Sequence, residues 1–286
     1  MQWKGRRQST NVEDRRRMAG GTMVAGGGIL AIIVTIIGLL IGGGGDLGSL
    51  FGPGGGAVAG QTQTEVSLTP HQKEMGEFAS VIFADTEDFW NEQFKESGLT
   101  YEEPRLVLFT GSVSTASGYA TSATGPFYSP PDKTVYIDLT FFDEMARKYG
   151  APGDFVYAYV ISHEVGHHVQ NLLGTLSQVT AMQRQASKTQ GNELMVRLEL
   201  QADFFAGVFA HHEHAQGYLD VGDIDEALVA ASAIGDDRLQ MQAQGYVVPD
   251  SFTHGTSEQR SRWFKLGYTT GDPSKGDTFT PAYNSL

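Results

Sequence analysis

Cysteine is absent from this 286-residue chain. That excludes disulfides and thiolate metal sites, so any bound cation has only nitrogen and oxygen donors to use. Positive charge is also scarce, with 20 Lys and Arg against 33 Asp and Glu. Six of the basic residues, Lys4, Arg6, Arg7, Arg15, Arg16 and Arg17, fall before residue 18, and no other occurs until Lys73. Beyond residue 41 fourteen basic residues face thirty-one acidic ones. Such a balance argues against nucleic acid or anionic surfaces as partners and suits solubility or a cationic ligand. No internal repeat is visible, and nothing in the sequence sets an oligomeric state.

What is present begins with an uncharged run, V-A-G-G-G-I-L-A-I-I-V-T-I-I-G-L-L-I, at residues 24–41. As a helix it rises about 27 Å, close to the thickness of a bilayer's hydrocarbon core. The expectation is one transmembrane helix behind a basic cytoplasmic tail, residues 1–23, with everything after it exported under the positive-inside rule. Ala57-Val58-Ala59 resembles a small-residue cleavage site, which leaves a removable signal as the alternative. Residues 42–69 are glycine-rich and lack periodicity, as a flexible linker does. Residues 70–286 suffice for one domain with a sizeable core.

The chemistry is carried by I-S-H-E-V-G-H-H-V at residues 161–169. On a helix, His163 and His167 share a face about 6 Å apart, so both imidazoles reach one metal ion while Glu164 stands beside it to move a water proton. Apolar Val160, Ile161, Val165 and Val169 surround the motif, and residues 154–173 contain no proline. A buried helix is expected there, with Gly166 allowing another element to approach closely.

A catalytic zinc takes three protein ligands and keeps one position open, so a third ligand must come from elsewhere. Residues 193–212 read as a second buried helix in which Glu199 and Asp203 stand four apart on one face. Burying two carboxylates requires partners, and this assigns Glu199 to the metal. Asp203 would accept the free N–H of a ligand histidine and hold its tautomer. His211, His212 and His214 lie about 18 Å of helix rise from Glu199 and cannot share its ion. His168 points about 100° away from His167, and His71 stands alone near a proline.

Downstream, H-G-T-S-E-Q-R at residues 254–260 precedes W-F-K-L-G-Y. Thr256 or Ser257 can cap a helix there, with Trp263, Phe264 and Leu266 on its buried side. Elsewhere the pattern predicts a helix from about residue 71 to 96 and short strands near residues 105–109, 127–129 and 134–139. Residues 112–124 read as a loop, and almost everything after Phe141 as helical, including one helix over residues 224–244. Strands followed by helices make this an α+β domain, mostly helical, with a small antiparallel sheet.

Together, H-E-V-G-H at 163–167, E-L-Q-A-D at 199–203 and H-G-T-S-E-Q-R at 254–260 resemble the neutral zinc metallopeptidase family of bacterial membrane-anchored proteins, and more distantly the gluzincins. The likeness extends over nearly the whole chain. It implies a zincin-like fold and one zinc ion held by His163, His167 and Glu199. It also implies Glu164 as general base, Asp203 orienting a ligand, His254 supporting the oxyanion and Arg260 bracing the site. Relatives often carry cysteines where this chain has Ser117 and Ser129, so a cross-link found in them is missing.

The expected activity is hydrolysis of peptide bonds, with zinc-activated water as nucleophile and Glu164 moving its proton to the leaving amine. Substrate backbone would pair with a sheet edge near Thr134 to Leu139. A non-catalytic zinc-binding scaffold is the rival from another class. Retention of Glu164 argues against it, because a structural site needs no general base. Zinc hydrolysis of a non-peptide amide would use the same machinery. The partners expected are thus a peptide or protein substrate and the cell membrane.

Overall fold

The computed structural model describes residues 1–17 and 67–286. The run at residues 24–41, its expected crossing and most of the expected linker lie outside the described residues. Among the described residues, no helix is long and apolar enough to cross a membrane.

The domain is α+β and mostly helical. Helix α1 (Pro70–Glu96) opens with a capping box, Thr69 accepting from the Gln72 amide and Gln72 returning a bond to the Thr69 amide. Phe78, Ile82, Phe89 and Trp90 are among its buried residues. Strand β2 (Arg105–Phe109) follows, then hairpin β3 (Ser112–Thr115) and β4 (Gly118–Thr121), then β5 (Phe127–Ser129) and β6 (Thr134–Asp138). Short helices α2 (Thr140–Tyr149) and α4 (Thr175–Gln183) flank the central α3 (Phe155–Leu172). The chain then forms α5 (Lys188–Ala215), α6 (Asp223–Ala233), α7 (Asp236–Gln244) and α8 (Ser257–Thr270).

Three of these findings correct the sequence expectations. Residues 112–121 form a hairpin rather than a loop. Its Val113 and Ala120 are buried with Val107, Phe109, Phe127 and Tyr136, a small core that a Ser- and Thr-rich stretch does not advertise. Ser117 Oγ lies 2.9 Å from Ser129 Oγ, so the two hydroxyls meet between the hairpin and β5.

The main sheet is mixed rather than antiparallel, in the order β1 (Val12–Asp14), β2, β6, β5. β2 and β6 are parallel because the hairpin and β5 intervene between them, and only β5 runs antiparallel to β6. β6 therefore has neighbours on both sides, and among the described residues the sheet edge beside α3 belongs to β5.

The third correction concerns the amino terminus. Residues 1–17 do not stand apart as a tail. They supply β1 (Val12–Asp14), parallel to β2 with Val12 opposite Leu106 and Asp14 opposite Leu108. Their basic residues pair with carboxylates. Lys4 reaches Glu74, Arg6 reaches Asp85 and Glu213, and Arg7 reaches Glu87 and Asp88.

The site is positioned by the crossing of α3, α5 and α8. A Cβ on Gly166 of α3 would come within 3.2 Å of the Ala202 backbone in α5. Between α5 and α8 the approach is closer still. A Cβ on Gly207 would lie 2.0 Å from the Phe264 carbonyl, and one on Gly267 would lie 2.0 Å from the Phe204 carbonyl. Only glycine lets two helix backbones touch in this way, and the contact brings a side chain from α8 into the α3–α5 interface.

Candidate metal centre

Helix α3 is buried along nearly its whole length, which is why its apolar residues surround the polar motif instead of occupying a single stripe. His163 and His167 stand one turn apart with ring centroids separated by 4.8 Å. Glu199 enters from α5. One donor atom from each of His163, His167 and Glu199 lies within 4.8 Å of the others, and all three residues are buried. His163 Nε2 is 3.2 Å from Glu199 Oε2, and His167 Nε2 is 3.3 Å from Glu199 Oε1.

The far side of each imidazole is engaged. A carboxylate or amide oxygen only accepts, so His163 Nδ1–H donates to Asp203 Oδ1 at 2.9 Å and His167 Nδ1–H donates to Gln170 Oε1 at 2.8 Å. Both Nε2 atoms therefore face Glu199, the tautomer a metal-binding histidine needs. Three buried atoms remain without a hydrogen-bond partner here: His167 Nε2, Glu199 Oε1 and Glu164 Oε2. Orphaned buried polar atoms are rare, and two of these belong to the His163, His167 and Glu199 group, which fits a cation with N and O ligands.

Asp203, fully buried, is held from several directions. It accepts from Arg260 Nε at 2.8 Å, Arg260 Nη2 at 3.0 Å and Tyr159 Oη at 2.6 Å besides His163. Arg260 is 2 % exposed, and its guanidinium also comes within 3.9 Å of Glu199 Oε2. Thr256 forms the capping box that starts α8, with Gln259 as the partner. Arg260 follows in the first turn of that helix, where the α5–α8 contact carries it into the core.

His254 is buried just ahead of α8. Its Nδ1 lies 3.3 Å from Asp236 Oδ1, while Asp236 Oδ2 accepts from the backbone amides of Thr253 and His254 at 2.6 and 2.7 Å. Asp236 thus fixes both the ring and the loop that carries it.

Titration follows from these contacts. Burial opposes charge on His163, but Asp203 and Glu199 outweigh it and raise its pKa to about 10. Burial likewise opposes ionisation of Glu199, yet His167, His254 and His163 hold its carboxyl well below the usual range. Glu164 moves the other way, its pKa raised chiefly by burial. For His254, burial is overcome by the carboxylates of Glu199 and Asp236, which raise its pKa.

The structure brings His163, His167 and Glu199 together, with Asp203 and Arg260 behind them, and it fixes His254 on Asp236. His168 stays out: its Nε2–H donates to the Glu102 carbonyl and its Nδ1 accepts from Tyr128 Oη. Sequence reasoning missed Tyr159, Gln170 and Asp236. Tyr159 stands four residues before His163 and Gln170 three after His167, so both were within reach of a helical-face argument. Asp236 offered no such signal, because its link to His254 is made only by the fold.

Comparison with known proteins agrees with this geometry. A family model described as "Putative neutral zinc metallopeptidase" matches residues 1–279, a span that takes in the docked amino-terminal segment. The uncharacterised protein YpfJ of Escherichia coli K12 is 51 % identical over 283 residues, 98 % of this chain and 99 % of that one. The uncharacterised protein Rv2575 of Mycobacterium tuberculosis H37Rv is 45 % identical over 193 residues, 64 % of each chain. No solved structure matches. With the match covering nearly its full length, the chain belongs to the neutral zinc metallopeptidase family.

Proposed function

We propose that the protein is a zinc-dependent peptidase with a zincin-like site. One zinc ion would be held by His163, His167 and Glu199. The observation that carries this reading is the convergence of unpartnered buried donors on α3 and α5, with Glu164 beside them and its Oε2 also unpartnered. A structural site would close on itself and would have no use for that carboxylate.

A zinc ion bound there lowers the pKa of a water towards about 7 and polarises a carbonyl. Glu164 accepts the water proton and later delivers it to the leaving amine, a task suited to a carboxylate whose pKa is raised by burial. His254, held by Asp236 and with its pKa raised by the carboxylates of Glu199 and Asp236, donates to the developing oxyanion. Asp203 and Arg260 keep His163 aimed. The sheet edge at β5 is the place for a peptide backbone to align. We extend the proposal to membrane contact through the uncharged run at residues 24–41, on its lack of charge.

The test measures zinc content and cleavage of a peptide library for the purified full chain and for Glu164→Gln. The variant is expected to keep its metal while kcat falls by about 10²–10⁴-fold. Unchanged turnover would remove Glu164 from the mechanism. A wild-type chain that holds zinc but cleaves nothing would favour the binding scaffold.

A further inference from the structure

We propose that residues 1–17 are an integral part of the folded domain and lie on the same side of any membrane as residues 67–286.

The reason is the contact between the two segments. β1 is one of four strands in the main sheet, joined to β2 in parallel register. Leu106 N donates to Asn11 O at 2.9 Å, and Arg15 N donates to Leu108 O at 2.8 Å. Backbone ladders of this kind need the two chains about 5 Å apart, whereas a bilayer core holds its two faces about 30 Å apart. A strand on one side cannot pair with a strand on the other.

Side chains repeat the message with charge. Glu87 is 2 % exposed, and its partners across this interface all come from the amino-terminal segment. Its Oε1 accepts from Ser9 Oγ and Asn11 Nδ2, and its Oε2 accepts from Arg7 Nη1. Arg6 lies between Asp85 and the buried Glu213, with its guanidinium 3.3 Å from the centre of the Tyr218 ring. α1 carries a glycine, Gly76, where the Arg16 guanidinium lies against it, and a Cβ there would come within 2.2 Å of Arg16 Nη2. Arg16 also donates to the Gln72 carbonyl.

These contacts give the basic amino terminus a purpose other than orientation in a membrane. The positive-inside rule applies to charges that remain in cytoplasmic solvent beside a span. Here Lys4, Arg6 and Arg7 are matched to carboxylates of a domain carrying a large acidic excess. Holding these residues in the cytoplasm while the rest is exported would strip β2 of its neighbour and leave Glu87 and Glu213 buried without cations.

Because the chain has no cysteine, single thiols report position cleanly. Gln8→Cys and Gln185→Cys, both at exposed positions, are made separately in the full chain. An impermeant maleimide is then applied to intact spheroplasts and again after lysis. The expected result is the same behaviour at both positions, either labelled before lysis or protected until it. Labelling of one position before lysis and the other only after would overturn the proposal. A second measurement compares the melting temperature of the full chain with that of a chain lacking residues 1–17, expected to melt about 10 °C lower. A difference under about 1 °C would equally overturn it. Neither readout uses peptidase activity, so the two proposals fail independently.

Discussion

At the α3–α5 crossing, buried polar atoms of His167, Glu199 and Glu164 are left without partners. Under the amino-terminal segment, buried Glu87 uses both oxygens on Arg7, Ser9 and Asn11, while Glu213 is met by Arg6. Both regions bury carboxylates beside cationic or hydrogen-bonding groups, and both join distant parts of the chain. They differ in completion. Around Glu87 both carboxylate oxygens are filled by groups of the amino-terminal segment, and that cluster is an adhesive. Where donors converge and stay open, the fold has kept room for something the chain does not supply.

That contrast can be broken by removing one cation from each region. The larger effect is expected for Arg260→Met, which leaves Asp203 fully buried without its bidentate partner. Breaking a buried pair from one side costs about 3–5 kcal/mol, measured by denaturant unfolding. A loss below about 1 kcal/mol would mean that Tyr159 and His163 satisfy Asp203 alone. Arg6→Met should have a smaller effect, about 2 kcal/mol, because the amino-terminal interface lies closer to solvent. Equal losses at the two positions would erase the distinction drawn here.

The third expected effect is a slope with pH, smaller over any one pH unit than either of these losses. Burial, with Glu213 adding to it, raises the Asp85 pKa to about 8 against the attraction of Arg6. Its unfolded value is about 3.9. The folded state therefore binds the extra proton, and the associated stability is fully present below about pH 4 and lost as pH rises towards 8. Asp85→Asn removes that dependence. Its stability relative to wild type should rise across this interval, with a slope of at most about 1.4 kcal/mol per pH unit. Parallel pH profiles would show that Asp85 does not titrate in this way.

Much of the site was legible before the fold. The four-residue spacings His163 to His167 and Glu199 to Asp203 fix which side chains share a helical face, whatever the helices pack against. The Thr256 cap and the strands at residues 105–109 and 127–129 could be read in the same local way. Less local features could not. A single helix over residues 224–244 is expected from periodicity, yet the chain breaks at Gly235. A Cβ there would meet the Ser257 backbone amide at 2.3 Å, so the break answers to α8 and not to its own sequence. That break starts α7 at Asp236, the residue that holds His254.

β1 was hidden for a related reason. Three residues, Val12 to Asp14, set among arginines show no alternation strong enough to announce a strand, and only the open edge of β2 makes them one. Arg15 and Arg16 pair with the adjacent Glu13 and Asp14, but the partners of Lys4, Arg6 and Arg7 lie between Glu74 and Glu213, far along the chain, so locally their charge read as a membrane signal.

The sequence by itself determined the candidate ligands: two imidazoles and a carboxylate on one helix, a carboxylate pair on another, and no cysteine thiolate to compete with them. Helical spacing is a local property, and that is why it could be read. Only the tertiary structure decided which oxygens stay open, which histidine is anchored by Asp236, and that the first strand belongs with the rest of the domain. Those outcomes depend on close approach between distant segments, set by glycines at helix crossings and by charge pairs that close long loops.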